Sequence, residues 1–162
     1  MRLRDETPAD TAAVRHVHTQ AFGRADEARL VDTLRERGEA VVSLVAQEGG
    51  AVIGHVLLSP LDAPLRALGL APVAVLPEAQ RRGVGAALIR EGLARARQAG
   101  WEAVFVLGEP RYYERFGFSA ATASGFSSPY AGPHFLALSL RGARLIPGEG
   151  SVAYAPPFQE LA

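Results

Sequence analysis

The chain has 162 residues, 48% of them apolar and 21% charged, with 17 basic side chains against 17 acidic ones and no cysteine. This suits one globular domain with a substantial core, and the charge balance provides no overall field toward nucleic acid or an anionic membrane. Every basic residue is Arg, so a Lys Schiff base, a cysteinyl acyl intermediate, a disulfide and a thiolate metal site are all excluded.

No apolar run approaches the roughly 20 residues of a bilayer span, and MRLRDETPAD lacks the apolar segment of a signal peptide, so a cytoplasmic soluble protein is expected. Met1 to Glu6 reads as a strand. Thr7 and Pro8 then supply an N-cap and a first-turn proline, with Asp10 at the third helical position and Val14, Val17 and Ala21 on one apolar face. After a loop at GRAD, a second helix is expected from about Asp26 to Arg37, with Leu30, Val31 and Leu34 inward and Gly38 ending it. Ala40 to Gln47 and Ala51 to Ser59 form a hairpin around Glu48, Gly49 and Gly50. Leu68 to Val75 is a further strand, irregular because Pro72 cannot donate to a ladder.

The helix after QRRGVG carries Leu88, Ile89, Gly92, Leu93 and Ala96 at helical spacing and stops at Gly100. With the apolar strand Glu102 to Leu107 it completes a right-handed parallel crossover. A short helix follows at Pro110 to Phe116, ended by Gly117. Ala120 to Gly132 reads as a loop or irregular hairpin, Phe135 to Leu140 as a strand, Pro147 to Gly150 as a turn and Val152 to Ala155 as a last short strand. His18 repeats the apolar spacing of its helix and reads as a satisfied, partly buried histidine; His55 shares strand parity with Ile53 and Leu57 and faces either core or cleft. No histidine pair has convincing ligand spacing, so no metal is expected.

The segment Val73 to Arg97 joins a strand to a long helix through a loop whose backbone N–H groups can meet a phosphate, helped by the helix dipole. A triphosphate P-loop requires Lys, which is absent, and the glycines are misplaced for a dinucleotide fingerprint. Gln80, Gly83 and Gly85 instead match the acyl-CoA loop of the GNAT superfamily of acetyltransferases. One strand later, Tyr113, Gly117 and Phe118 match that superfamily's Tyr, three residues, Gly-Phe. The chain therefore resembles a GNAT protein, and AFGRADE, GHVLLSP and LGEPRYYERFGF suggest a bacterial branch of small members. It departs in having no Asn after the fifth strand, where Gly108-Glu109-Pro110 stands.

The resemblance implies a single α/β domain over residues 1–162, a mixed central sheet with a splayed parallel pair and flanking helices, and 141–162 as a C-terminal extension. It implies acetyl-CoA as acyl donor, its pantetheine arm along Val73, Ala74 and Val75. The pyrophosphate would lie on Gln80, Arg81, Arg82, Gly83, Val84, Gly85 and Ala86. It further implies Tyr113 as the acid toward the leaving thiolate, with the acceptor amine attacking directly in a ternary complex. Among Glu27, His55, Glu109 and a water chain, Glu27 is preferred as base, because the loop between the first two helices borders the acceptor in relatives. Phe126, Ser127, Ser128 and Tyr130 are equally a pocket lining or a surface loop. The partner is a small-molecule or peptide amine; a homodimer is compatible, and nucleic acid is disfavoured. The rival reading is a catalytically idle acyl-CoA-binding or interaction module.

Overall fold

The computed structural model describes residues 1–146 and 151–160, so the turn expected at Pro147 to Gly150 lies outside the described residues. Six strands, β1 (Arg2–Asp5), β2 (Val42–Glu48), β3 (Ala51–Pro60), β4 (Ala67–Val75), β5 (Ala103–Leu107) and β6 (Phe135–Ser139), form one sheet in chain order. Every neighbouring pair is antiparallel except β4 and β5. The β2–β3 hairpin turns at Gly49 and Gly50, both at positive φ, as a two-residue turn matched to strand twist requires.

Helices α1 (Thr11–Phe22) and α2 (Asp26–Glu36) connect β1 to β2, and α3 (Val84–Gln98) makes the crossover from β4 to β5. A short 3-10 turn, Pro8–Asp10, precedes α1, and the Asp10 carboxylate accepts from the Thr7 amide and from both terminal nitrogens of Arg4. Because β3 side chains alternate between faces, Gly54, Val56 and Leu58 meet α3, whereas His55 and Leu57 face α1 and α2. The helices thus cover both faces of the sheet.

Two short helices follow β5: α4 (Pro110–Glu114) and α5 (Ala120–Ala123). The second corrects the expectation of a loop across Ala120 to Gly132. Ser119 caps it through a bond from the Thr122 amide, and Phe126 is buried, edge-on to Phe105 at 5.3 Å. Phe126 is a core residue, then, and it also borders a cavity of about 390 Å³ beside α5. The strand expected at Val152 to Ala155 is only a pair of isolated bridges, Ser127 to Ser151 and Asp62 to Ala153. The segment nevertheless packs inward, with Val152, Tyr154 and Ala155 buried.

Candidate active site

β4 and β5 pair only over Ala67 to Gly69 against Ala103 to Phe105, and beyond that point they separate. β4 continues against β3 alone, through a bulge between Leu70 and Val73 that accommodates Pro72. The Leu76 amide donates to the Ile53 carbonyl at 2.9 Å. Since hydrogen-bonded pairs alternate along an antiparallel ladder, Ala74 faces β3, and Val73 and Val75 turn their N–H and C=O groups into the gap. The expected irregularity of this strand is therefore a free backbone edge.

That edge runs directly into the loop. Gln80 donates to the Val75 carbonyl at 3.0 Å, which folds the loop back on the strand end. Arg81 (φ 63) and Gly83 (φ 81) are both left-handed, a conformation that glycine adopts at no steric cost. The first helical bond at this end runs from Ala87 to the Gly83 carbonyl, so the amides of Val84, Gly85 and Ala86 point outward without helical partners. A cleft of about 490 Å³ lies here, bordered by Val75, Gln80, the loop, Tyr112 and Arg115. A Cβ on Gly85 would make only ordinary contacts of 3.6 Å with Tyr112 and Val75. The protein itself does not need a bare backbone there; something approaching from the cleft would. Arg82, by contrast, is drawn out to Glu48 of the hairpin at 2.6 Å.

Tyr113 is placed by its floor. A Cβ at Gly108, just past the end of β5, would fall 2.3 Å from the Tyr113 ring. Gly108 thus seats the Tyr113 ring beyond the end of β5. Tyr112, Phe116 and Phe118 hold the ring from other sides. Burial pushes the phenol up to about 12, so it keeps its proton at neutral pH. A similar seat occurs at Gly69, where a Cβ would fall 2.6 Å from the Tyr154 ring.

Glu27 begins α2 and is buried, with its two oxygens accepting from Arg24 at 3.1 and 2.7 Å. The guanidinium holds this carboxyl below the usual range. That makes Glu27 a fixed negative charge and a weak proton acceptor.

The sequence reading missed a buried polar chain on the α1 face. His18 Nε2 and His55 Nδ1 lie 2.8 Å apart, His55 Nε2 and Ser43 Oγ 2.8 Å apart, and Ser43 donates to Glu6 Oε1 at 2.9 Å. Glu6 is held by Arg35 at 2.7 Å. His18 is fully buried rather than partly so, and its Nδ1 has no hydrogen-bond partner among the described residues. Burial lowers its pKa to about 4, against the opposing pull of Glu27. Inward spacing at His18 and inward parity at His55 were the available signals; their meeting depends on how α1 crosses the sheet. Among the described residues, Ser59 Oγ and Tyr154 Oη are the other buried side-chain polar atoms without a partner. Ser59 shares the parity of His55 and pairs with Gly69, beneath Tyr154. All three unpartnered atoms therefore lie on the α1 face.

A parallel pair that splits after Gly69, with an amide-lined loop and a cleft at the end of β4, defines an acyltransferase fold of one class. The sequence model of the "Acetyltransferase (GNAT) family" matches residues 11–118, and the chain belongs to that family. It is 42% identical over 134 residues to the uncharacterised N-acetyltransferase YjhQ of Escherichia coli K12, covering 77% of this chain and 74% of that one. Its fold is similar to a GNAT family acetyltransferase from Brucella melitensis solved with acetyl-CoA, at TM-score 0.83 and 38% identity over 97% of each chain. It also matches Escherichia coli YhbS solved with CoA, at TM-score 0.91 and 33% identity over 99% of this chain and 93% of that one. No helix among the described residues is long and apolar enough to cross a membrane.

Proposed function

We propose that this acetyltransferase takes its acetyl group from acetyl-CoA and passes it to an amine by direct attack in a ternary complex. The observation that carries the reading is the free β4 edge: Val73 and Val75 present N–H groups to the gap, and the strand leads into the open amides at Val84 to Ala86. A pantetheine arm lies along such an edge as an extra strand would, and its pyrophosphate meets the helix N-terminus. The relatives bound to acetyl-CoA and CoA support the same ligand here.

In this reading one gap-facing N–H from Val73 to Val75 meets the thioester oxygen. A fixed donor aimed at the developing oxyanion contributes about 3 kcal/mol. The neutral amine attacks the carbonyl carbon, the C–S bond breaks while the sulfur takes the Tyr113 hydrogen bond, and the attacking nitrogen gives up its extra proton to the departing thiolate, which leaves as the thiol. A thiol's ordinary pKa near 8.5 lies below that of the buried phenol. Tyr113 therefore stabilises the departing thiolate chiefly by donation, with full proton transfer favoured only as the same gap desolvates the sulfur. Glu27, paired with Arg24, supplies negative charge beside the cationic acceptor.

The test screens alkylamines, aminoglycosides and dipeptides with acetyl-CoA and follows release of free thiol. An acceptor that reacts, with Tyr113→Phe lowering kcat about 100-fold and leaving CoA affinity within about threefold, supports the mechanism. Tight CoA binding with no reactive amine supports an idle binding module. An acetylated enzyme intermediate rules out direct attack.

A further inference from the structure

We propose that Arg115, held over the Tyr112 ring on the α4 side of the cleft, is the subsite for the ribose 3′-phosphate of CoA, an inference that rests on acetyl-CoA as the donor in the reading above. By this contact the protein prefers CoA to its 3′-dephosphorylated form. The β4 edge serves the pantetheine arm and the open amides of Val84 to Ala86 serve the pyrophosphate. The third phosphate hangs one sugar beyond, and neither the strand nor the loop provides for it.

Tyr112 places the subsite. Its hydroxyl lies 3.6 Å from where a Gly85 Cβ would stand, so it borders the amides at the start of α3. The ring is fixed edge-on to Tyr113 at 5.1 Å and to Phe116 at 5.4 Å, and the Tyr112 amide donates to the Glu109 carbonyl. The guanidinium carbon of Arg115 sits 4.5 Å from the centroid of the same ring. One polar group is therefore at the edge of the ring beside the loop amides, and the other stands over its face. Both border the cleft of about 490 Å³. They are offset in the way that a pyrophosphate and a phosphate on the adjoining sugar are.

The charges of this cleft point the same way. Arg82 is neutralised by Glu48. Among the described residues, however, no carboxylate pairs with Arg115, although Glu114 is its neighbour in sequence, and none pairs with Arg81 on the loop. An ion pair would occupy the guanidinium's fork of N–H donors, whereas an aromatic ring holds the cation and leaves the fork for a phosphate. In a chain of zero net charge, two uncompensated cations thus border one cleft. Arg115 is assigned the phosphate rather than Arg81 because its guanidinium is already seated, so less side-chain freedom is lost when an anion docks.

Arg115 is exposed, and its pairing with a phosphate is correspondingly modest. A single charge-assisted contact of this kind gives a preference of about 10-fold, or about 1.4 kcal/mol. The preference weakens with salt, because both charges remain in reach of counterions.

The test is calorimetric titration of the full chain with CoA and with 3′-dephospho-CoA, which reads the subsite without any acceptor amine. At about 50 mM salt the parent should bind CoA about 10-fold more tightly, and at about 300 mM the preference should shrink to about threefold. Arg115→Ala should weaken CoA about 10-fold and leave dephospho-CoA within about twofold, which erases the preference. Arg115→Gln, which keeps most of the side chain's apolar stem, decides the matter should the alanine variant fail to fold. Tyr112→Phe keeps the ring under Arg115 and should keep the preference, as should Arg81→Ala.

A purely structural Arg115 that only props Tyr112, or one that reaches the pyrophosphate, would weaken both ligands alike on substitution. That result overturns the subsite, as does equal binding of the two ligands by the parent or a preference that survives Arg115→Ala. Each of these leaves acetyl-CoA as the donor. Failure of the parent to bind either ligand overturns the donor assignment and the subsite together.

Discussion

Gly108→Ala probes the site without replacing a titratable side chain. The added Cβ would fall 2.3 Å from Tyr113 Cε2 and 2.8 Å from Cδ2, while ordinary contact begins at 3.4 Å, so the ring must move by about 1 Å. It has little freedom to do so, because Phe118 is 1% exposed and stands edge-on at 5.8 Å, with Tyr112 and Phe116 on other sides. Two consequences follow together. Overpacking costs about 2 kcal/mol, or about 5 °C in Tm for a chain of this size. A displacement of about 1 Å at a group that must meet the leaving sulfur costs about 100-fold in kcat, or about 2.7 kcal/mol of transition-state stabilisation. The assay is thiol release from acetyl-CoA with a saturating reactive amine, run as a double-mutant cycle with Tyr113→Phe. If Gly108 acts by seating Tyr113, the two changes share one loss, and adding Gly108→Ala to Tyr113→Phe lowers kcat by less than about threefold. An unchanged kcat in the single variant, or a further 100-fold loss in the double variant, refutes the reasoning.

Arg82 and Arg81 should separate in CoA binding: Arg82→Ala should change Kd less than about threefold, because Glu48 already holds that guanidinium. Glu48→Gln should tighten CoA at low salt by releasing Arg82, and calorimetric titration of both variants decides it. Asp10, buried and bound to Arg4 and Thr7, titrates far below an ordinary carboxyl, chiefly through Arg4. A lowered folded-state pKa means that its stabilisation is complete above about pH 4 and is lost as pH falls further. Urea unfolding should therefore show stability falling below about pH 4. Asp10→Asn should flatten that limb and cost about 2 kcal/mol at neutral pH.

Much of the site was legible because it is local. QRRGVG lies at a strand-to-helix junction, where chain connectivity alone places unpaired amides and a left-handed Gly83. Pro72 announced the irregularity in β4 because a residue without an N–H cannot complete a ladder. YYERFGF marked Tyr113, although nothing local said that Gly108 would be its seat. Serine, glycine and alanine between Ala120 and Gly132 hid a helical turn and the buried Phe126, since their weak propensities leave the outcome to packing.

Elements, strand alternation, the phosphate loop and the absence of Lys and Cys chemistry follow from residue order, because each depends on neighbours a few positions apart. Three things belong to tertiary structure. One is the gap between β4 and β5, which requires a parallel pairing to begin at Ala67 and stop at Gly69. Another is the pinning of Glu27 by Arg24, which turns a candidate base into a fixed charge. The last is the meeting of His18 with His55, 37 residues apart, with Ser43 and Glu6 beyond. Periodicity could turn both histidines inward. Only the crossing of α1 over β3 could bring two ring nitrogens to 2.8 Å and leave a third buried without a partner among the described residues.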